Sequence, residues 1–162
     1  MTLQAPSVDD RLAALEARLG AAEDRLAIYQ IIATYGPTVD TVSPDGVTSI
    51  WLDDGVYDSG GYTPMEGAQA IRDMLFAPTH QALVERGCAH IMSMPHVTLS
   101  GDTAVAVGYS CLFARTGDRW ITERVSANRW ELTRAPAGWR VTSRTNRQLA
   151  ATDESRALLR LP

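Results

Sequence analysis

His90 and Asp40 are the two side chains in this sequence best suited to moving a proton. A carboxylate that holds an imidazole fixes its tautomer and stabilises its protonated form, which makes the ring a base near neutral pH. Asp40 lies in Tyr35-Gly36-Pro37-Thr38-Val39-Asp40, after a long amphipathic helical pattern. His90 lies in Cys88-Ala89-His90-Ile91, where a strand-like run begins. Removing a carbon-bound proton also requires stabilisation of the charge that develops, so a base alone is insufficient. Arg144, in Val141-Thr142-Ser143-Arg144, suits a pocket in which it steadies an oxyanion or carboxylate, and equally suits the outer face of a sheet. Strand alternation groups it with Arg140, Thr142 and Asn146. Tyr35 reads either as a donor to a departing hydroxyl or as an ordinary tyrosine on an apolar helix face.

The other candidates are weaker. Alternation puts His96 on the face of His90, although Pro95 disturbs that register, and His80, beside Pro78, reads as a surface loop residue. No metal is expected, because the three histidines fall on separate elements without an i,i+4 ligand pair. Cys88 and Cys111 form no CxxC motif and read as reduced thiols. All 15 basic residues are arginines. That removes Schiff-base chemistry, a lysine nucleophile and a phosphate-loop lysine. A net charge of −4 gives no general attraction to nucleic acid or to an anionic membrane. Met1 to Asp10 lack the basic start and apolar run of a signal peptide, and nothing approaches the roughly 20 apolar residues of a membrane span. A cytoplasmic location is the expectation.

These residues need elements to position them. The 162 residues suit one domain with a real core. Val8, Leu12, Leu15, Leu19, Ala22 and Leu26 form a heptad-like seam, with Ser7 or Asp9 able to cap its start. Ile28, Ile31, Ile32 and Tyr35 then give a broader apolar face, suited to packing on a sheet. An N-terminal arm over 1–24, a body over 25–150 and a tail over 151–162 follow, with Gly36-Pro37 expected to kink or end the long helix. A short helix is expected from Pro44 to Leu52, a turn at Asp53-Asp54-Gly55, a brief strand from Val56 to Asp58 and a hairpin turn at Gly60-Gly61. Glu66 to Leu75 reads as a helix, with Pro78 interrupting what continues to Arg86. Four long β-rich segments close the chain: Ala89–Leu99, Thr103–Ala114, Arg119–Arg134 and Gly138–Gln148. Their short connections imply consecutive antiparallel hairpins. Helices first and a long meander afterwards give an α+β fold, a curved antiparallel sheet wrapped around N-terminal helices.

The order of these elements and several local motifs resemble the SnoaL-like branch of the nuclear-transport-factor-2-like superfamily. The motifs are Arg25-Leu26-Ala27-Ile28, Ile50-Trp51-Leu52-Asp53-Asp54, Pro64-Met65-Glu66-Gly67-Ala68, Ser100-Gly101-Asp102-Thr103-Ala104 and Gly138-Trp139-Arg140. Within that branch the chain resembles bile acid 7α-dehydratase, hexachlorocyclohexane dehydrochlorinase and, more distantly, scytalone dehydratase. The resemblance implies a cone with an internal pocket and a cofactor-free lyase working through an Asp–His dyad, here Asp40 and His90, with Arg144 facing the cavity. Tyr35 matches the dehydratase, where the dehydrochlorinase has a lysine, so the constellation leans toward loss of water. The chain departs from the pattern at Met94, where an asparagine is common, and in its N-terminal arm.

The implied activity is a lyase or isomerase acting on a hydrophobic, alicyclic or polycyclic small molecule without a cofactor. SnoaL-like cyclisation or ketosteroid-type isomerisation is the alternative enzyme class. A non-catalytic binding cone, marked by a His90 without a carboxylate, and the small subunit of a ring-hydroxylating dioxygenase are further alternatives. Trp51, Met65, Cys88, Met92, Tyr109 and Phe113 are expected to line an apolar pocket. A homo-oligomer is expected, with a trimer favoured over a dimer and the arm available to tie subunits together.

Overall fold

Ser7 opens the first helix. Its hydroxyl accepts from the Asp10 backbone N–H, while the Asp10 carboxylate accepts from the Ser7 N–H, so each residue satisfies a donor of the other. From there α1 runs unbroken from Val8 to Asp40. The computed structural model describes residues 6–150 and 153–161. The first five residues of the expected arm, and Ala151, Thr152 and Pro162 of the expected tail, lie outside the described residues. Val8, Leu12, Leu15 and Leu19 of α1 face solvent, whereas Ile28, Ile32, Tyr35 and Val39 are buried. The arm and the body therefore share one continuous helix.

Gly36-Pro37 does not end that helix, contrary to expectation. The missing N–H of Pro37 leaves the Ala33 carbonyl unbonded, but both residues are exposed and water can serve it. Thr38 donates to the carbonyls of Thr34 and Tyr35, and Thr41 donates to that of Pro37, which holds the final turn. Gly36 has a different purpose. A Cβ there would lie 2.1 Å from the His90 carbonyl oxygen, so only glycine lets α1 approach the strand that carries the histidine.

α2 (Pro44–Thr48) stops earlier than expected because Trp51 already belongs to β1 (Trp51–Asp58). Asp53-Asp54-Gly55 is not a turn. It is an irregularity within β1, whose parallel pairing with β7 (Gly138–Gln148) jumps from Trp51↔Val141 to Val56↔Ser143. The chain returns through Gly60 and Gly61, both at positive φ, to β2 (Met65–Glu66), antiparallel to β1. α3 (Ala68–Asp73), a 3-10 turn (Met74–Phe76) and α4 (Pro78–Arg86) follow. Pro78 starts α4 and does not interrupt it, since the first helical turn needs no N–H from that position.

The expected strand from Ala89 to Leu99 is two strands, β3 (Cys88–Met92) and β4 (His96–Ser100), on one edge of β5 (Thr103–Thr116). They separate at Ser93-Met94-Pro95, where proline cannot donate to the ladder. The Ser93 hydroxyl accepts from the Tyr109 N–H instead, and Gly108 leaves the space for it. β6 (Arg119–Ala135) completes a seven-stranded sheet in the order β2-β1-β7-β6-β5-β3, with β4 also on β5. β5, β6 and β7 form the expected consecutive antiparallel hairpins. The sheet curves around α1, whose Ile28, Ile32, Tyr35 and Val39 meet Trp51, Tyr57, Trp130, Leu132 and Val141 in a single core. Asp24 fastens the start of the buried half of α1, accepting from Arg134 at 2.7 Å and from the Trp139 indole at 2.9 Å. The tail contributes α5 (Asp153–Leu158), tied to β7 by the Glu154–Arg147 ion pair. Among the described residues no helix is long and apolar enough to cross a membrane.

Candidate active site

Asp40 is the last residue of α1 and His90 the middle residue of β3, two elements brought together at Gly36. His90 Nδ1 lies 2.5 Å from Asp40 Oδ1, and the His90 backbone N–H donates to Oδ2 at 2.8 Å. The Cys88 thiol adds a longer contact to Oδ1, at 3.4 Å. A carboxylate can only accept, so the proton of this contact sits on Nδ1, and Nε2 is the nitrogen that the neutral ring offers as acceptor. Partial burial alone would raise the Asp40 carboxyl, but the bonds from the His90 ring and backbone outweigh it and hold the group below the ordinary aspartate range. Burial first, and the Asp40 charge second, push the Cys88 thiol up to about 11. That thiol therefore stays protonated and donates.

Arg144 occupies the floor of the cone and is only 2% exposed. Its Nε and Nη2 both donate to Asn128 Oδ1, at 3.0 and 2.8 Å. The guanidinium carbon lies 4.1 Å from the Tyr35 ring centre, 4.3 Å from that of Trp130 and 4.7 Å from that of Tyr57. No carboxylate pairs with it among the described residues, and Nη1 has no partner. Burying a cation costs several kcal/mol, while each desolvated ring face returns up to about 2 kcal/mol, so the aromatic cage and Asn128 can hold the charge unpaired. An unpaired guanidinium of this kind is poised for an incoming oxyanion. The expected companions Arg140 and Thr142 are not on its face. Thr142 is an extra residue where the β6–β7 register slips, which sets Arg144 and Asn146 inward together with Trp139 and Val141.

The Tyr35 ring stands edge-on to those of Tyr57, Trp130 and His90, at centroid distances of 6.3, 5.7 and 6.5 Å. Burial and the neighbouring Tyr57 raise its phenol well above the ordinary value, against the opposite pull of Arg144. It remains a protonated donor. Tyr35, His90 and Arg144 all line one cavity of about 410 Å³. Its walls are apolar where Val39, Met65, Met74, Leu83 and Leu112 contribute, and polar where Ser110 and Asn146 stand beside the arginine.

Of the six expected pocket residues, Met65 lines the cavity and the others do not. Trp51 is buried in the core beneath Trp130 and Tyr57. Cys88 is one bond removed from the cavity, on Asp40, and Met92 places its sulfur 3.9 Å from Arg144 Nη2. Tyr109 and Phe113 lie outside the lining, to which β5 contributes Ser110, Cys111 and Leu112, and Tyr109 is 49% exposed. His96 is exposed and absent from the lining.

His80 reverses its expected surface position. It is buried on α4, lines the cavity, and donates from Nε2 to the Val39 carbonyl at 2.9 Å, with its ring 6.0 Å from that of His90. Asn128 was invisible in the sequence, as an amide with no motif around it. Besides holding Arg144 it accepts from Asn146 at 3.0 Å and donates to Ser110 at 2.8 Å. Arg124, opposite Leu112 in the β5–β6 register, lines both the cavity and an adjoining cleft. Asp40, Cys88 and His90 bring potential metal-ligand atoms within 4.8 Å of one another. Their own hydrogen bonds occupy both carboxylate oxygens and Nδ1, and the thiol is protonated, so a metal would have to dismantle the dyad.

A comparison with curated proteins gives no match. Among solved structures, a nuclear-transport-factor-2-like protein with a cystatin-like fold from Novosphingobium aromaticivorans is 40% identical, with a TM-score of 0.91 over 96% of this chain and 100% of that one. A second protein from N. aromaticivorans, described as a candidate aromatic-ring hydroxylase, is 31% identical over 80% of this chain and 91% of that one, with a TM-score of 0.66. A candidate dehydratase of the same superfamily from Streptomyces avermitilis shares the fold at 12% identity, with a TM-score of 0.65 over 80% of this chain and 99% of that one. The SnoaL-like domain family matches residues 20–145, from the junction of arm and body to the strand that carries Arg144. The chain belongs to the SnoaL-like family of the nuclear-transport-factor-2-like superfamily.

Proposed function

We propose that this protein is a cofactor-independent lyase of the dehydratase type, acting on a hydrophobic alicyclic or polycyclic molecule that carries a carbonyl next to the reacting carbon. The observation that carries this reading is the His90–Asp40 contact on the wall of a cavity whose floor holds a buried guanidinium without a carboxylate partner. His90 Nε2 takes the proton from carbon, and Asp40 stabilises the resulting imidazolium. The electron pair of the broken C–H bond moves onto the carbonyl oxygen, where Arg144 meets the developing enolate. Collapse of the enolate forms the C=C bond and breaks the C–O bond, and the leaving oxygen takes the Tyr35 proton and departs as water. Proton return from the imidazolium to the tyrosinate restores the site.

One observation favours isomerisation as the second reading. His80 offers another imidazole in the same cavity, and a second proton carrier lets a proton removed at one carbon be returned at another. A binding-only cone has no use for a carboxylate on His90, and the pairing with Asp40 speaks against it. Incubation with a panel of alicyclic β-hydroxy ketones and unsaturated ketones, read by mass spectrometry, tests the proposal. Loss of one water that disappears in His90→Ala supports the dehydratase; a rearranged product of unchanged mass supports the isomerase. Turnover that survives His90→Ala would overturn both.

A further inference from the structure

The exposed half of α1 carries more information than its apolar stripe. With Leu12, Leu19 and Leu26 at the first core position of a heptad, Val8, Leu15 and Ala22 fall at the second. The flanking positions then separate by sign. Arg11, Arg18 and Arg25 occupy one flank, and Asp9, Glu16 and Glu23 the other. Among the described residues none of these six makes an ion pair; Arg25 donates to the Ala21 carbonyl, one turn back on its own helix. The leucines Leu12, Leu15, Leu19 and Leu26 are 53–65% exposed. A single chain thus leaves about 27 Å of helix with an apolar seam and two charged flanks unsatisfied.

The seam also points away from its own body. Asp24, bonded to Arg134 and Trp139, and the fully buried Ile28 mark the side of α1 that docks on the sheet. At about 100° per residue they lie opposite Leu19, Ala22 and Leu26, so the seam can be approached without displacing the body. The arm is also long enough, and rooted in a folded helix, to avoid the nucleation cost that an isolated peptide of this length would meet.

We propose that this arm is a parallel coiled coil between copies of this chain, with orientation and register set by its charges. In a parallel coil each residue of the arginine flank meets the residue five positions further along the partner's acidic flank, which brings Arg11 to Glu16 of the neighbouring copy and Arg18 to Glu23. In an antiparallel coil like flanks face each other, arginine against arginine and carboxylate against carboxylate, which is repulsive. The charge arrangement therefore selects a second copy in one direction. The parallel arms place the attached cones at the same end of the coil. This inference is independent of the proposed catalysis.

Cross-linking of the full-length chain tests it. Leu12→Cys puts a thiol in the seam at a level that meets itself only in a parallel pair, and mild oxidation should link it into dimers where the unsubstituted chain does not link. Adding Arg11→Glu and Arg18→Glu should reduce that linking at least tenfold, as should adding Glu16→Arg and Glu23→Arg. An equimolar mixture of these two charge-reversed chains should restore it, which shows that both still fold. Absence of linking in Leu12→Cys, linking indifferent to charge reversal, or preferential linking of Leu12→Cys chains to Ala22→Cys chains would overturn the proposal.

Discussion

Asp40 fixes which nitrogen of His90 is free. With both Asp40 oxygens engaged by the His90 ring and backbone, the proton of the ring contact sits on Nδ1, and ¹⁵N-histidine NMR should find the neutral ring as the Nδ1–H tautomer. Asp40→Asn can present its amide to Nδ1 and move the proton to Nε2, so the rate should fall by about 10³–10⁴-fold while the fold persists. Tyr35→Phe separates leaving groups. Hydroxide needs a proton to depart and chloride does not, so this variant should slow loss of water strongly and barely affect a halide analogue of the same substrate. Equal losses on both would reduce Tyr35 to a packing residue. His90 and Asp40 were legible in the sequence as proton-transfer types, and the family resemblance joined them to Tyr35 and Arg144, whose residue types alone left their positions open. Asn128 and His80 were not. An amide in a strand has no signature until its neighbour Arg144 is known to face inward, and His80 turns inward only because Pro78 begins a helix there.

At the level of elements, the dyad depends on how closely α1 meets β3. Gly36→Ala would drive a methyl group into the His90 carbonyl, and backbone can yield only by separating the two elements. A loss of about 1–3 kcal/mol in denaturant unfolding is expected, with a larger fractional loss of activity, because the Nδ1–Oδ1 contact opens first. A variant with wild-type stability and turnover would show that the approach has no part in positioning His90. Hydrophobic periodicity and turn residues revealed the long helix and the last three strands nearly to their ends. They failed where an extra residue alters parity: Thr142 moves Arg144 to the inner face, and the irregularity at Asp53-Asp54-Gly55 conceals the first half of β1. Tyr109 and Phe113 were placed in the pocket by their apolar, aromatic type alone, which does not say which way a strand residue faces. Gly36-Pro37 read as a helix end because proline's local cost was weighed, while the tertiary contact that needs the glycine lies 54 residues away at His90.

For the whole molecule, arm and body divide at the Asp24 anchor. Deleting residues 1–20 should leave the cone folded and the cavity intact, since Asp24, Ile28 and all groups beyond them remain, while association through the arm disappears. Acid should unfold the cone through its aspartates. Asp24, Asp40 and Asp58 are all held below their ordinary value by donors from Arg134, His90 and Arg147 respectively. A carboxyl lowered in the folded state contributes stability above its unfolded value and loses it as pH falls through the folded one. Tryptophan fluorescence should accordingly report constant stability near neutrality and a decline below about pH 4. A flat profile to pH 2 would contradict the assignment. The central claim is that His90 removes a proton from carbon inside the cone, and solvent isotope exchange measures that step without requiring elimination. Alicyclic ketones incubated with the protein in deuterium oxide should gain deuterium next to the carbonyl, with exchange abolished in His90→Ala and greatly slowed in Asp40→Asn. Exchange that persists at the wild-type rate in His90→Ala would contradict it.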